Sequence, residues 1–259
     1  PQAQTHPLLR VLLADDSSSD ATFARCQELV GSDPRFELRQ RQHNLGWCRN
    51  YAALLKEVRT PFVCFAFHDD HLDPQFIASL VAALACEPDA ALAYSDLGFG
   101  SNAFVPLPGH CRCLDRVRAV QLRLWRLIRM QGSWWIPFRG VMRTEVAQRC
   151  VDCLDLPPAE AFSADWIWLI RLAMEGPFVR VNQQLVLKHW LATGVTVTSS
   201  WRLGEEVRLR RRCLDALKGQ RPRGWRLLSL LTFAEIGLLP LRRLVRRIME
   251  GLSGLGLSR

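Results

Sequence analysis

Two adjacent carboxylates and two imidazoles follow an apolar run at residues 62–67, in the order His68, Asp69, Asp70 and His71. The run has the composition of a buried strand, which places the polar cluster at the carboxyl end of that strand. Carboxylate oxygens are preferred ligands of Mg²⁺, and imidazole nitrogens also bind divalent metals. The cluster therefore predicts a divalent-cation site, although aspartate is also common at the first position of a helix.

Strand-like and helix-like segments alternate through the first hundred residues. Helical spacing occurs at residues 21–31, 48–58 and 74–86. Apolar or alternating strand-like runs lie at residues 8–15, 35–40, 62–67 and 90–96. This alternation predicts an α/β fold with a largely parallel central sheet covered by helices on both faces.

Carboxylates stand at the predicted ends of three strands, as Asp15 with Asp16, Asp69 with Asp70, and Asp96. In open α/β sheets, ligands bind outside the carboxyl ends of the strands. Acidic groups at three equivalent strand ends are therefore candidate ligand-binding residues. The alternative is that they stabilise turns and cap helices.

The composition limits the class of protein. The chain has 259 residues, of which 49% are hydrophobic and 23% charged, which excludes a disordered chain and allows one sizeable core. It carries 34 basic against 25 acidic residues, a formal charge of +9 that favours an anionic partner. The basic residues concentrate in a leucine-rich tail and not among exposed stacking aromatics, so nucleic acid is not expected as a partner.

The cysteines and the chain start bear on location. Nine scattered cysteines and no signal-peptide pattern predict a reducing, cytoplasmic compartment. No apolar run reaches the ~20 residues that a membrane-spanning helix needs. The chain begins at Pro1 without Met, which predicts a fragment or a processed protein.

Five motifs in one order resemble the family 2 inverting glycosyltransferases, which have the GT-A nucleotide-sugar transferase fold. They are LLADDSSSD (12–20), HNLGWCRNYAALL (43–55), FVCFAFHDDHLDPQF (62–76), SADWIWLIRLAMEG (163–176) and LVLKHW (185–190). They correspond to the family's D-D-G-S-T-D, N-x-G, D-x-D, E-D and R-x-H segments, the third in an H-D-D variant. The resemblance covers about residues 8–200 and implies a three-layer α/β/α domain.

The resemblance implies a metal-dependent, inverting transfer of a sugar from a nucleotide-diphosphate sugar to a hydroxyl of a glycan or a lipid-linked acceptor. Mn²⁺ or Mg²⁺ would be held by Asp70 and His189, and Asp69 would contact the sugar or the ribose. The metal would neutralise the leaving diphosphate. His189 could instead be structural.

The same resemblance implies that the donor nucleotide is bound by Asp15, Asp16, Asn44 and Arg49. Asn44 could instead only form a turn, and Arg49 could pair with a carboxylate.

Asp165 is the candidate general base, which would take the proton of the acceptor hydroxyl in a single displacement. Its alternative role is helix capping. Trp134 and Trp135 are expected on the acceptor side, because aromatic faces commonly pack on sugar rings. Simple core packing is equally consistent with either tryptophan.

Three departures from the family pattern keep other functions open. Only ten residues precede Val11, where the family pattern expects a further strand, which predicts either a truncated sequence or an incomplete nucleotide pocket. Phe67 replaces the first Asp of D-x-D, and Ala164 replaces the Glu of E-D. One alternative is a noncatalytic, degenerate transferase domain within a larger assembly. The other is a nucleotidyltransferase of related fold, for which the expected glycine-rich loop is not present.

The C-terminal residues differ in composition from the rest of the chain. We expect residues 1–200 to form the transferase domain and residues 201–259 a basic, amphipathic, helical extension. Residues 241–249 place leucine, valine and isoleucine on one helical face and arginines on the other. This pattern is typical of a helix that lies on anionic lipid, so peripheral attachment to the inner membrane face is expected. A helix packed within the protein is the alternative.

Overall fold

The computed structural model describes residues 2–68, 70–99, 105–106, 110–130, 133–157, 161, 164–188 and 203–254. The chain divides into two compact units, Pro1–Leu191 and Ala192–Arg259. The boundary predicted at residue 200 falls in a segment outside the described residues, and it stays a prediction.

The N-terminal part of the first unit is a small βαβα arrangement. Strands β1 (Val11–Asp15) and β2 (Phe36–Gln40) form a parallel pair. Helix α1 (Thr22–Val30) connects them and has no buried residue. Helix α2 (Trp47–Glu57) buries Cys48, Asn50, Ala52 and Leu55, whose spacing places them on one helical face.

A second, larger sheet forms the centre of this unit. Its strands are β3 (Phe62–Cys64), β4 (Asp70–Leu72), β5 (Leu92–Phe99), β6 (Val105–Pro106), β7 (Val141–Arg143) and β8 (Phe178–Lys188). The order is β3-β7-β5-β8-β4, with β6 paired to β5.

The predicted α/β class is correct, but the prediction of a largely parallel sheet is not. Among the described strands of the central sheet, β5 and β8 pair in parallel, and the other pairs are antiparallel. The reason is that short strands join the edges of the β5–β8 pair from the opposite direction: β7 follows a 3₁₀ helix, and β4 follows β3 without a crossover helix. Short strands of this kind have no periodic pattern that reveals their direction.

Helices cover the central sheet. They are α3 (Phe76–Cys86), α4 (Val120–Ile128), α5 (Thr144–Arg149) and α6 (Ala164–Glu175). Single 3₁₀ turns lie at His110–Leu114, Ile136–Arg139 and Val151–Leu154. Helix α6 is the most deeply buried: the side chains of Trp166 and Trp168 are fully inaccessible. An element packed this tightly gives the polar residue in its first turn, Asp165, a fixed position.

The second unit contains α7 (Leu203–Gln220) and α8 (Trp225–Gly254). Ion pairs join the two helices: Arg243 donates to Glu206 at 2.6 Å. Within α8, Arg242 pairs with the buried Glu235. In the part of the chain that the structure describes, no helix is both long enough and apolar enough to cross a bilayer.

Candidate active site

Asp70 is the centre of a buried charge cluster at one edge of the central sheet. It lies in β4 directly opposite Lys188 of β8. Nε of Arg139 donates to Oδ2 of Asp70 at 2.5 Å, and Nζ of Lys188 lies 3.8 Å from Oδ1. The Asp70 side chain is 1% exposed, and those of Arg139 and Lys188 are each 12% exposed. A carboxylate buried to this extent is tolerated because two cations compensate its charge.

Arg139 is fixed by more than this ion pair. Its guanidinium carbon lies 5.0 Å from the ring centroid of Phe67 and 5.1 Å from that of Trp135, within cation–π range of both. The following residue, Gly140, passes so close to β5 that a Cβ there would lie 2.3 Å from the carbonyl oxygen of Ala93. The arginine is therefore positioned by its backbone as well as by its side-chain contacts.

Asp165 lies in the first turn of α6, at the edge of this cluster. Burial raises the pKa of its carboxyl to about 6, while the Trp166 N–H and the charge of Arg139 act in the opposite direction. The Trp166 N–H donates to Oδ1 at 2.9 Å. A carboxyl with a pKa near 6 is ionised at neutral pH and is a stronger base than an exposed aspartate, as proton abstraction requires. Arg139 thus links two carboxyls, bonding one and stabilising the charged form of the other.

The described residues around Asp70 do not fit a divalent cation. Such an ion takes several oxygen ligands, usually from more than one carboxylate. Here a single carboxylate faces two cationic side chains, and Phe67 contributes no oxygen ligand. Across the described ranges, no three residues of the His, Cys, Asp and Glu types come close enough to hold a metal. Asp69 and His189 lie outside the described residues, so the metal site predicted from the sequence stays a prediction.

The N-terminal carboxylates are held by the loops around them. Asp15 accepts from the backbone N–H of Ser18 at 3.0 Å and from its hydroxyl at 2.5 Å. Asp16 accepts from the N–H groups of Leu45 and Gly46 at 2.9 and 2.8 Å. Asn44 accepts from the N–H of Gly46 at 2.9 Å. The turn-forming role that the sequence left open is therefore present, and nucleotide binding by these three residues stays a prediction.

Arg49 and Asp96 are each one member of an ion pair between an arginine and a carboxylate. Nε of Arg49 lies 3.3 Å from Oδ1 of Asp155, and both side chains are about half exposed. Asp96 does not end its strand as predicted: it lies within β5 at a break in register, where Arg180 of β8 donates to both its oxygens. The apolar run continues past Asp96, which is why the strand is longer than the sequence indicated.

The two tryptophans have different surroundings. Trp134 packs against the buried Trp166, with ring centroids 6.1 Å apart, which matches the core-packing alternative. Trp135 covers Arg139 and so borders the charge cluster. Sequence reasoning missed Arg139 and Lys188. The only local signal for Arg139 is a lone arginine in the apolar stretch from Ile136 to Met142.

The comparisons with known proteins decide the family. A profile described as "Glycosyl transferase family 2" matches residues 2–139, just over half of the chain. The chain belongs to glycosyl transferase family 2. The predicted membership of family 2 is therefore confirmed. A curated relative of this family 2 chain, "Uncharacterized protein y4gI" from Sinorhizobium fredii (strain NBRC 101917 / NGR234), is 28% identical over 96 residues. That match covers 37% of this chain and 11% of the relative.

Solved structures with the same fold confirm the GT-A class. TarS 1–349 of S. aureus, in complex with UDP-GlcNAc, superposes with a TM-score of 0.61 at 14% identity. The match covers 82% of this chain and 59% of that one. The mannosyltransferase PcManGT of Pyrobaculum calidifontis, in complex with GDP-Man and Mn²⁺, has a TM-score of 0.56 at 15% identity. That match covers 100% of this chain and 74% of PcManGT.

Proposed function

We propose that this family 2 chain transfers a sugar from a nucleotide-diphosphate sugar to a hydroxyl group of a glycan or a lipid-linked acceptor, with inversion at the anomeric carbon. The observation that supports this most is Asp165, a base of raised pKa beside a buried arginine. Structural neighbours are complexes with UDP-GlcNAc and GDP-Man, which favours a donor of this chemical class.

The chemistry assigned to this chain is one displacement. Asp165 accepts the proton of the acceptor hydroxyl while the oxygen of that hydroxyl attacks the anomeric carbon of the sugar. The bond between that carbon and the diphosphate oxygen breaks, and the nucleoside diphosphate leaves with the bonding electron pair. A pKa of about 6 keeps Asp165 ionised before the reaction at neutral pH. The proton it gains is lost to solvent after the acceptor departs.

The donor nucleotide is assigned to the N-terminal sheet. Asp15, Asp16, Asn44, Arg49 and Asp69 are proposed to bind it, as the family resemblance implies. An open hollow of about 300 Å³ lies beside this group, within the range typical of small-ligand pockets. It is lined by Gln40, Arg41, Gln42, His43 and Leu45. The hydrogen bonds of Asp16 to Leu45 and Gly46 shape one wall of this hollow, so that the aspartate supports nucleotide binding through the loop it orders.

The acceptor is assigned to the side of Trp135, whose ring borders the charge cluster. Trp134, which packs on Trp166, is proposed to support this surface from behind. Both assignments place the acceptor near Asp165, which must reach its hydroxyl.

We also propose that the second unit contacts an anionic membrane surface. Helix α8 exposes a stripe of large apolar residues: Leu227, Leu230, Phe233, Leu238, Leu241, Leu244 and Val245. Arg221, Arg223 and Arg226 are exposed near its N-terminal end. Exposed leucines beside arginines match a lipid surface with anionic headgroups. Arg242 and Arg243, which the sequence places on the helical face opposite the leucines, pair with Glu235 and Glu206. Cosedimentation with vesicles of anionic and of neutral phospholipid tests this: binding to the anionic vesicles is expected, and no binding to either contradicts it.

Two alternatives remain distinct from this proposal. A noncatalytic transferase-like domain would bind the donor without turnover. A nucleotidyltransferase would form a sugar nucleotide from a sugar phosphate and a nucleoside triphosphate, releasing pyrophosphate. Supplied with a nucleotide sugar, a noncatalytic domain releases no product. A nucleotidyltransferase cleaves the nucleotide sugar only when pyrophosphate is added, giving a nucleoside triphosphate and a sugar phosphate.

The test is release of UDP or GDP from UDP-GlcNAc and GDP-mannose, by the wild type and by Asp165→Asn. General-base catalysis contributes about 10²–10⁴-fold, so Asp165→Asn is expected to lose at least about a hundredfold of the turnover. Asp152→Asn is the control, because this 67% exposed carboxylate pairs only with Arg171 among the described residues. Binding without nucleotide release by the wild type would support the noncatalytic alternative, and equal turnover in Asp165→Asn would exclude it as the base.

A further inference from the structure

The charge cluster at the sheet edge brings two positive side chains together. Arg139 and Lys188 both lie against the buried carboxylate of Asp70. At Phe67, the family resemblance expects another carboxylate that would hold a metal. The ring that stands there instead lies against the guanidinium of Arg139. Phe67, which replaces the expected aspartate, is therefore in direct contact with the cation Arg139.

We propose that Arg139 binds the diphosphate of the donor directly, with Lys188 beside it, and that these side chains supply the positive charge predicted for a divalent cation. The inference rests on the proposed function, since it concerns the donor of that reaction. It differs from the metal-dependent mechanism that the family resemblance implies.

The geometry of Arg139 fits phosphate binding. Its Nε is engaged by Asp70, and the rings of Phe67 and Trp135 contact the guanidinium. Among the described residues, no acceptor is hydrogen-bonded to either of its Nη groups. A guanidinium anchored in this way presents two parallel N–H donors, which match two phosphate oxygens. Its side chain is 12% exposed, so the anchored group still reaches the surface.

Lys188 adds a second positive charge at the same edge. Its Nζ lies 3.8 Å from Asp70, on the oxygen that Arg139 does not contact. Asp70 therefore lies beside both cations, and each of them brings one positive charge to the same edge of the sheet. A fixed positive charge in a poorly solvated site stabilises a developing anion without the cost of reorienting solvent.

The role in the reaction follows from where charge develops. As the bond between the anomeric carbon and the diphosphate oxygen breaks, the leaving group gains one negative charge and the proton passes from the acceptor to Asp165. Arg139 stabilises that negative charge and also favours the ionised state of Asp165 before the reaction. Phe67 and Asp70 are positioning residues, because they act through Arg139.

The test is calorimetric titration of UDP and GDP onto the full chain, once in EDTA and once in Mn²⁺. The nucleotide that binds the wild type is expected to bind in EDTA within about threefold of its affinity in Mn²⁺. Arg139→Gln is expected to weaken that binding by about ten- to a hundredfold, the loss typical of a charged hydrogen-bonding group. Arg149→Gln, which removes an exposed arginine paired with Glu175, is the matched control and should bind as the wild type does.

The outcomes separate this inference from the proposed function. Binding that requires Mn²⁺ and is unchanged in Arg139→Gln would overturn the inference and leave the transferase proposal standing. No binding of either nucleotide in either buffer would contradict both. If circular dichroism shows that Arg139→Gln does not fold, Arg139→Lys decides, since it keeps the charge and loses the paired donors. A several-fold loss of affinity in EDTA supports the inference, and an unchanged affinity overturns it.

Discussion

Aspartates follow or begin strands in both sheets of the first unit, and the two regions use them differently. In the N-terminal sheet, Asp15 and Asp16 accept hydrogen bonds from nearby loop groups. In the central sheet, Asp70 is buried between two cations that come from distant parts of the chain. The residue type and the location at one end of a strand are alike, but the hydrogen-bonding and ionic partners differ.

The difference shows what a carboxylate needs in order to serve chemistry. Two backbone N–H donors, from Leu45 and Gly46, fix Asp16 in its loop. Arg139 interacts with both Asp70 and Asp165. A change in the charge of any one of the three groups therefore alters the electrostatic energy of the other two. Burial raises the pKa of Asp165 while Arg139 lowers it, and the balance near 6 is set by contacts that no local sequence pattern contains.

Neutralising one aspartate in each region tests whether the two carboxylates contribute differently to stability. Asp70→Asn leaves Arg139 and Lys188 without their buried counter-charge. The free energy of unfolding is expected to fall by about 3–5 kcal/mol, as measured for broken buried ion pairs. Urea denaturation of the purified chain measures this, and a loss below about 1 kcal/mol would show that the cluster is solvated.

Asp16→Asn is expected to have the smaller effect, because its amide oxygen still accepts from a backbone N–H. A loss of about 1–2 kcal/mol follows from weakening two charge-assisted hydrogen bonds. Asp89→Asn is the control for both variants: this side chain is 80% exposed, and its pair with Arg118 is expected to contribute less than about 1 kcal/mol. Equal losses of unfolding free energy in Asp16→Asn and Asp70→Asn would contradict the proposed difference between the two regions.

Much of the fold follows from the sequence. The helices predicted at residues 21–31, 48–58 and 74–86 correspond to α1, α2 and α3 within two residues at each end. Their apolar spacing and the breaks at Gly31 and Pro61 are local signals. The direction of β4 and β7 is not local, since it depends on which edge of the β5–β8 pair each short strand meets.

The candidate site was predictable only in part. Asp70 and Asp165 lie in motifs that the family resemblance identifies. In the structure Asp70 is buried, and the pKa of Asp165 is raised. Arg139 lies 69 residues from its partner Asp70, in an apolar stretch without periodic polar positions. A pairing over that separation is created by the packing of Gly140 against β5, which the sequence around Arg139 does not reveal.

The coupling of Asp165 to Arg139 is tested by the pH dependence of nucleotide release, measured as kcat/KM on the wild type and on Arg139→Gln. Asp165 must be ionised to accept a proton, so activity should fall on the acidic side with a midpoint near pH 6. Arg139 stabilises the ionised carboxyl, so removing its charge raises the pKa, and the midpoint should move to higher pH. A midpoint that is the same in both proteins would contradict the coupling of Asp165 to Arg139. No acidic limb between pH 5 and 7 would contradict the role of Asp165 itself.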